Sequence, residues 1–247
     1  MTSRRAIIGL CAMCALLISA VAAQGASAAT TAYTCVPGQG TLNVDCVPGS
    51  SGTSGHVAIP ANTRTELTGT GGETKLKATI AGTAVTLTAT SAEPAPGSAP
   101  WVENVEEGGE MVAKGEGAIT YTGVSANHSC GVEGLPGGAG MITTTQLKAS
   151  TLGAGAGLKF TPASGTKFVE FNLTGAECPT VLKEQNPYTV NGNVTGTPKG
   201  SNVEFTHTGT TGQGTLTVKG AVAGVEGSLT LSARANSTQA YTPLSVT

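Results

Sequence analysis

The sequence predicts an all-β protein: an antiparallel β-sandwich or barrel-like fold of short, glycine-punctuated strands, disulfide-stapled, with room for two β subdomains. Three observations carry that expectation. The chain is rich in Thr and Val, which fit a pleated, half-buried surface, and its 36 glycines fall at intervals typical of turns. Beyond the first thirty residues no long run has 3.6-residue periodicity, because Gly or Pro interrupts nearly every candidate helix. Four cysteines remain once an N-terminal export leader is set aside, an even number that suits a disulfide framework.

The leader is expected to be a signal peptide over residues 1–28. Arg4 and Arg5 supply a short positive region, Ala6 to Ala23 an apolar run of 18 residues, and Ala26-Ser27-Ala28 a small-residue cleavage pattern. A run of that length approaches a membrane span, but the cleavable flank favours a signal peptide. Ser3-Arg4-Arg5-Ala6-Ile7-Ile8 is similar to the twin-arginine export motif. The strongly apolar core instead favours general secretion. No later stretch approaches a membrane span, so no membrane span is expected after cleavage, and the expected localisation is secreted, extracellular or at the cell surface.

The next region, 29–92, is read as an N-terminal β region. Cys35-Val36-Pro37-Gly38 is imperfectly repeated as Cys46-Val47-Pro48-Gly49, which favours a Cys35–Cys46 pair closing a short hairpin, with a strand over Leu42 to Val47. Thr63 to Leu67, Lys75 to Ile80 and Ala84 to Thr90 follow as strands. In the last, Val85 and Leu87 share one face and Thr86 and Thr88 the other. Three prolines between Ser91 and Pro100, then a glycine- and glutamate-rich stretch, mark 93–116 as a linker or long loop and the best candidate boundary between two β regions.

A C-terminal β region, 117–247, completes the chain. Expected strands are Ala118–Val124, Met141–Leu147, Gly157–Phe160, Phe168–Leu173, Tyr188–Val194, Val203–His207, Thr215–Lys219 and Ser228–Ala233. Phe168, Glu170 and Asn172 fall on one face of their strand and Val169, Phe171 and Leu173 on the other. Cys130 and Cys178 form the second favoured pair, which staples distant segments. From Cys130 onward the chain carries a cysteine, a Thr-rich strand (Met141 to Leu147), a Leu-Lys-Phe strand (Leu158 to Phe160), a second cysteine and a terminal hairpin (Gly214 to Leu231). This arrangement resembles one that recurs in uncharacterised secreted β-rich proteins of high-GC Gram-positive bacteria. The resemblance covers about half the chain, implies a secreted β fold, and brings no catalytic residues with it.

Charge and motifs exclude more than they assign. The 13 basic and 15 acidic residues give no basic excess of the kind nucleic acid or an anionic membrane calls for. Asp45 is the only aspartate, which weakens a calcium-loop reading. His56, His128 and His207 have no metal-ligand spacing, so no metal site and no cofactor are expected. Asn127-His128-Ser129-Cys130 places a thiol beside an imidazole, but an even cysteine count in an oxidising compartment reads Cys130 as half of a disulfide. Trp101, Glu103, Glu106 and Glu107 form the densest acidic segment beside the only tryptophan, and are the candidate ligand-binding residues.

The leading functional expectation is a secreted or cell-surface, non-enzymatic β protein with a binding, adhesion or envelope-structural role. The alternative is a small-ligand or carbohydrate-binding module, for which Trp101, Tyr121, Tyr188 and Tyr241 are the available rings. A hydrolase built on His and Glu stands third. No partner is specified; a cell-envelope component, or self-association through sparsely charged strand edges, is the expectation to test.

Overall fold

The computed structural model describes residues 31–43, 45–47, 54–152, 157–206, 214–235 and 237–246. The expected signal peptide, His207, Pro48 and Gly49 lie outside them. Strands make up 65% of the structure and helix 2%, which bears out the all-β expectation.

Along the chain the strands are β1 (Ala32–Leu42), β2 (Ser54–Ala58), β3 (Thr65–Gly71), β4 (Thr74–Ile80), β5 (Thr83–Ala89), β6 (Ser91–Pro94), β7 (Trp101–Glu107) and β8 (Glu110–Gly117). Then come β9 (Ile119–Thr122), β10 (Ser125–Ala126), β11 (Gly131–Gly134), β12 (Gly138–Ala139), β13 (Met141–Thr143), β14 (Leu147–Leu152), β15 (Gly157–Pro162) and β16 (Lys167–Thr174). One helical turn, α1 (Thr180–Lys183), precedes β17 (Tyr188–Asn191), β18 (Val194–Lys199), β19 (Asn202–Phe205), β20 (Thr217–Val218), β21 (Ala221–Arg234) and β22 (Thr242–Val246).

These strands close an antiparallel eight-stranded barrel with further strands outside it. The barrel runs β4–β5–β10–β11–β16–β17–β20–β21 and back to β4. A second ring of pairings runs β3–β7–β8–β14–β15–β18–β19–β21 and back to β3. Both rings use β21. Its first half pairs with β4, from Ala223 opposite Ala78 to Glu226 opposite Lys75, and its second half with β3, from Leu229 opposite Gly71 to Arg234 opposite Glu66. The rings therefore sit end to end along this one strand. Closure of this kind removes exposed sheet edges.

Gly227 lies where β21 passes between the rings, with φ +142°. An added Cβ there would come within 2.9–3.2 Å of Thr74 and the Glu73 carbonyl, so glycine suits both the backbone and the space. Outside the rings, β22 continues along β21, β1 pairs with β22, and β2 pairs with β1.

The core fills the rings. Val85, Leu87, Val132, Phe171, Leu173, Val190 and Val218 are buried in the first, and Val102, Leu147, Leu158, Phe160, Val203, Leu229 and Leu231 in the second. Phe171 stacks on Tyr188 with centroids 5.3 Å apart, and the Tyr188 hydroxyl donates to the Leu182 carbonyl of α1 at 2.6 Å.

Three sequence expectations need correction. Leu42–Val47 is not a strand: β1 ends at Leu42, and the Asn43 side-chain oxygen accepts from the amides of Asp45 and Val47, both at 2.9 Å, folding the chain into a turn. Residues 93–116, read as a linker or long loop, hold β7 and β8, paired from Trp101 opposite Glu116 to Glu107 opposite Glu110. Their glutamates stand at outward or terminal positions, while Val102 and Asn104 point in, so charge that reads as loop decorates a hairpin. The candidate boundary there does not separate two sheets either, because β21 pairs with β3 and β4 from the other side of it.

Candidate functional site

Cys35 and Cys46 lie at disulfide distance with Cα atoms 5.6 Å apart, and Cys130 and Cys178 do so with Cα atoms 4.5 Å apart, in the pairing favoured from the sequence. The first joins β1 to the turn after it. The second ties the residue preceding β11 to the segment leading into α1. Cys130 is thus no free thiol, and His128 lies exposed, its Nε2 2.9 Å from the Ala84 carbonyl. Two such pairs accord with an extracellular protein. No helix among the described residues is long and apolar enough to cross a membrane. Among the described residues no three His, Cys, Asp or Glu side chains gather in a manner that would hold a metal ion.

The acidic segment does not form one site. Trp101 and Glu103 stand on the outer face of β7, and the Arg64 guanidinium covers the Trp101 ring, 4.1 Å from its centroid. Glu103 lies opposite Lys114 in the register, while Glu107 forms an ion pair with Lys114 and Glu106 is exposed at the hairpin end. The four rings considered for a sugar are scattered as well. Tyr188 is fully buried, Tyr121 lines the interior, and Tyr241 donates to Glu66 at 2.6 Å.

Glu66 belongs to a cluster that sequence reading missed. Arg234, its cross-strand neighbour, grips the carboxylate through Nε at 2.9 Å and Nη2 at 2.7 Å, and stacks on Tyr241 at 4.5 Å. The Arg234 and Tyr241 hydrogen bonds hold the Glu66 carboxyl below its ordinary range, and the bond to Glu66 raises the Tyr241 phenol. The cluster is solvent-exposed and its groups already satisfy one another.

The concave features are inside the rings. A cavity of about 80 Å³ occupies the second ring, walled by Leu67, Val102, Ala113, Ala149, Leu158 and Leu231 among others. A cavity of about 50 Å³ occupies the barrel of β4 and its partners, walled by Leu76, Leu87, Val124, Ile142, Val190 and Leu216. Between them lies a smaller one of about 30 Å³. The first and third share Ile119, Leu147, Phe160 and Leu229 as walls; the third and second share Thr74, Tyr121, Phe168 and Val225. Three chambers thus stand in a row along the joined rings, each sharing wall residues with the next.

The row arises from local choices of residue size. On β8 and β14 the inward positions of the second ring include Ala113, Gly115 and Ala149, small residues facing leucines. Void space in such a lining forfeits dispersion contacts, and a dry apolar cavity of this kind accepts apolar guests. No family profile, curated protein or solved structure matches the chain.

Proposed function

We propose that this protein is a non-enzymatic extracellular binding module whose ring interior takes up a small apolar molecule. The observation that supports this reading is the leucine- and alanine-walled cavity of about 80 Å³ within the second ring. Apolar lining gives affinity by removing hydrocarbon surface from water, and disulfides with closed strand pairing keep the walls in place. Of the binding roles expected from the sequence, the small-ligand one has a built space behind it. The carbohydrate version lacks a shared aromatic platform, since its four candidate rings are dispersed.

Xenon is the first probe, because it is apolar and small enough for a cavity of this size. Titration of the purified protein followed by amide chemical shifts is expected to move residues of β3, β8, β14 and β15. Ala149→Leu, which fills the cavity from β14, is expected to abolish those shifts while the protein stays folded. An absence of shifts in the wild type at saturating xenon would remove the proposal.

A further inference from the structure

Tyr121 is placed where a polar group is costly. It sits on β9 with its ring between the junction cavity and the cavity of the β4 barrel, and forms a wall of both. Every other side chain around the barrel cavity is apolar except Thr74, whose hydroxyl donates to the Gly72 carbonyl at 3.3 Å. The Tyr121 hydroxyl has no hydrogen-bond partner among the described residues. Loss of hydration pushes the phenol up to about 12, so at neutral pH it is an O–H donor.

A hydroxyl that no protein group engages in such a wall is free to serve a guest, and one hydrogen bond made there contributes about 0.5–1.5 kcal/mol net. The buried Ser201 hydroxyl is a useful contrast. Its oxygen is buried without a partner among the described residues, but it lines none of the three cavities, so no guest in them can reach it. Tyr121 differs because free volume adjoins its ring on two sides. Phenylalanine would fill the same wall without offering a donor.

We infer that Tyr121 is the polar handle of the site: its hydroxyl donates a hydrogen bond to an acceptor oxygen on an otherwise aliphatic guest lodged in the row of cavities. This deepens the proposed binding role and rests on it. The ligand class is a slender, neutral, mainly hydrocarbon molecule carrying one carbonyl or ether oxygen. Slenderness follows from narrow chambers in file that share walls. Neutrality follows from the lack of any charged side chain around the junction and barrel cavities.

The test uses 2-pentanone and n-pentane, alike in length but differing in the acceptor, with the wild type and Tyr121→Phe. Affinities are read from amide chemical-shift titrations, with ¹³Cζ-labelled tyrosine reporting on the phenol itself. The expected result is about fivefold weaker binding of 2-pentanone in Tyr121→Phe, the value of one net hydrogen bond, with n-pentane affinity held or improved. The Tyr121 ¹³Cζ resonance should move with the ketone and not with the alkane. Equal changes for both probes, or an unaltered ketone affinity in the variant, would overturn the role of Tyr121 and leave apolar binding standing. If neither probe binds the wild type, the binding role fails and takes this inference with it.

Discussion

Asn104→Ala is the substitution whose cost can be worked most directly from the structure. Asn104 is 2% exposed on β7, and its side chain makes three hydrogen bonds, all to backbone. Its Oδ1 accepts from the Ala32 amide at 2.8 Å, and its Nδ2 donates to the carbonyls of Ala32 at 2.9 Å and Ile59 at 2.8 Å. One amide thus clamps the start of β1 and the chain beyond β2 onto the second ring. Truncation leaves the Ala32 carbonyl with the Ile59 amide at 3.1 Å, while the Ala32 amide and the Ile59 carbonyl each lose this partner. At about 1–3 kcal/mol for each of the two buried groups left unpaired, the expected loss is about 2–6 kcal/mol. Urea denaturation should show a lower midpoint with an unchanged slope. Hydrogen exchange should rise first in β1 and β2 and leave the barrel of β4 protected.

Asn104→Asp adds a pH signature to the same prediction. It would set a buried carboxylate against two carbonyls that the amide had served as donor, so the folded state favours the protonated acid and its pKa rises. Such a group makes the fold progressively less stable as pH climbs above the ordinary aspartate value of about 3.9, until the raised folded value is passed. A loss below about 1 kcal/mol in Asn104→Ala, or exchange rising evenly through the chain, would refute the clamp.

Removing both cysteines of the 130–178 pair, whose sequence separation is 48, should cost about 4 kcal/mol from loop-closure entropy, against about 3 for the 35–46 pair with separation 11. Denaturation midpoints of the two double variants rank them, and the reverse order would contradict an unfolded-chain origin. Glu66 should titrate below the ordinary glutamate range, and Arg234→Gln should bring it back towards that range. Since its folded pKa is depressed, the ion pair stabilises above pH about 4.3 and is lost as pH falls through the lowered value. Side-chain carboxyl NMR reads both, and identical titration in wild type and variant would show that Arg234 is not the cause.

What the sequence revealed, and what it hid, follows from how far apart the determining residues lie. Phe168–Leu173 was legible because its alternation is local, and Val169, Phe171 and Leu173 are indeed buried. Phe168, expected on the other face, is buried too, since the register shifts between Lys167 and Val169 and turns it inward. The β7–β8 hairpin was hidden because outward glutamates resemble a solvated loop when no partner strand is known. Ring closure was hidden for a similar reason. Gly224 and Gly227 break β21 into what looks like a strand and a turn, whereas 14 residues run unbroken because β3 and β4 lie end to end beside them. Asn104 gave no signal at all, for its partners are 45 and 72 residues away.

The cavities belong to the same class of hidden property. Alternation identifies which side chains point inward, but a cavity depends on whether opposing layers fill the space between them. Ala113 and Ala149 border a void only because the other walls, leucines among them, do not reach across to them. Taken alone, such a void is a packing defect that many folds tolerate. The Tyr121 hydroxyl changes the balance, because a packing defect explains missing volume and does not explain a donor without a protein partner in the wall of two apolar cavities. The two observations arise from different strands, β8 and β14 for the void and β9 for the donor, and converge on one row of chambers. A guest that is mostly hydrocarbon with one acceptor oxygen accounts for both.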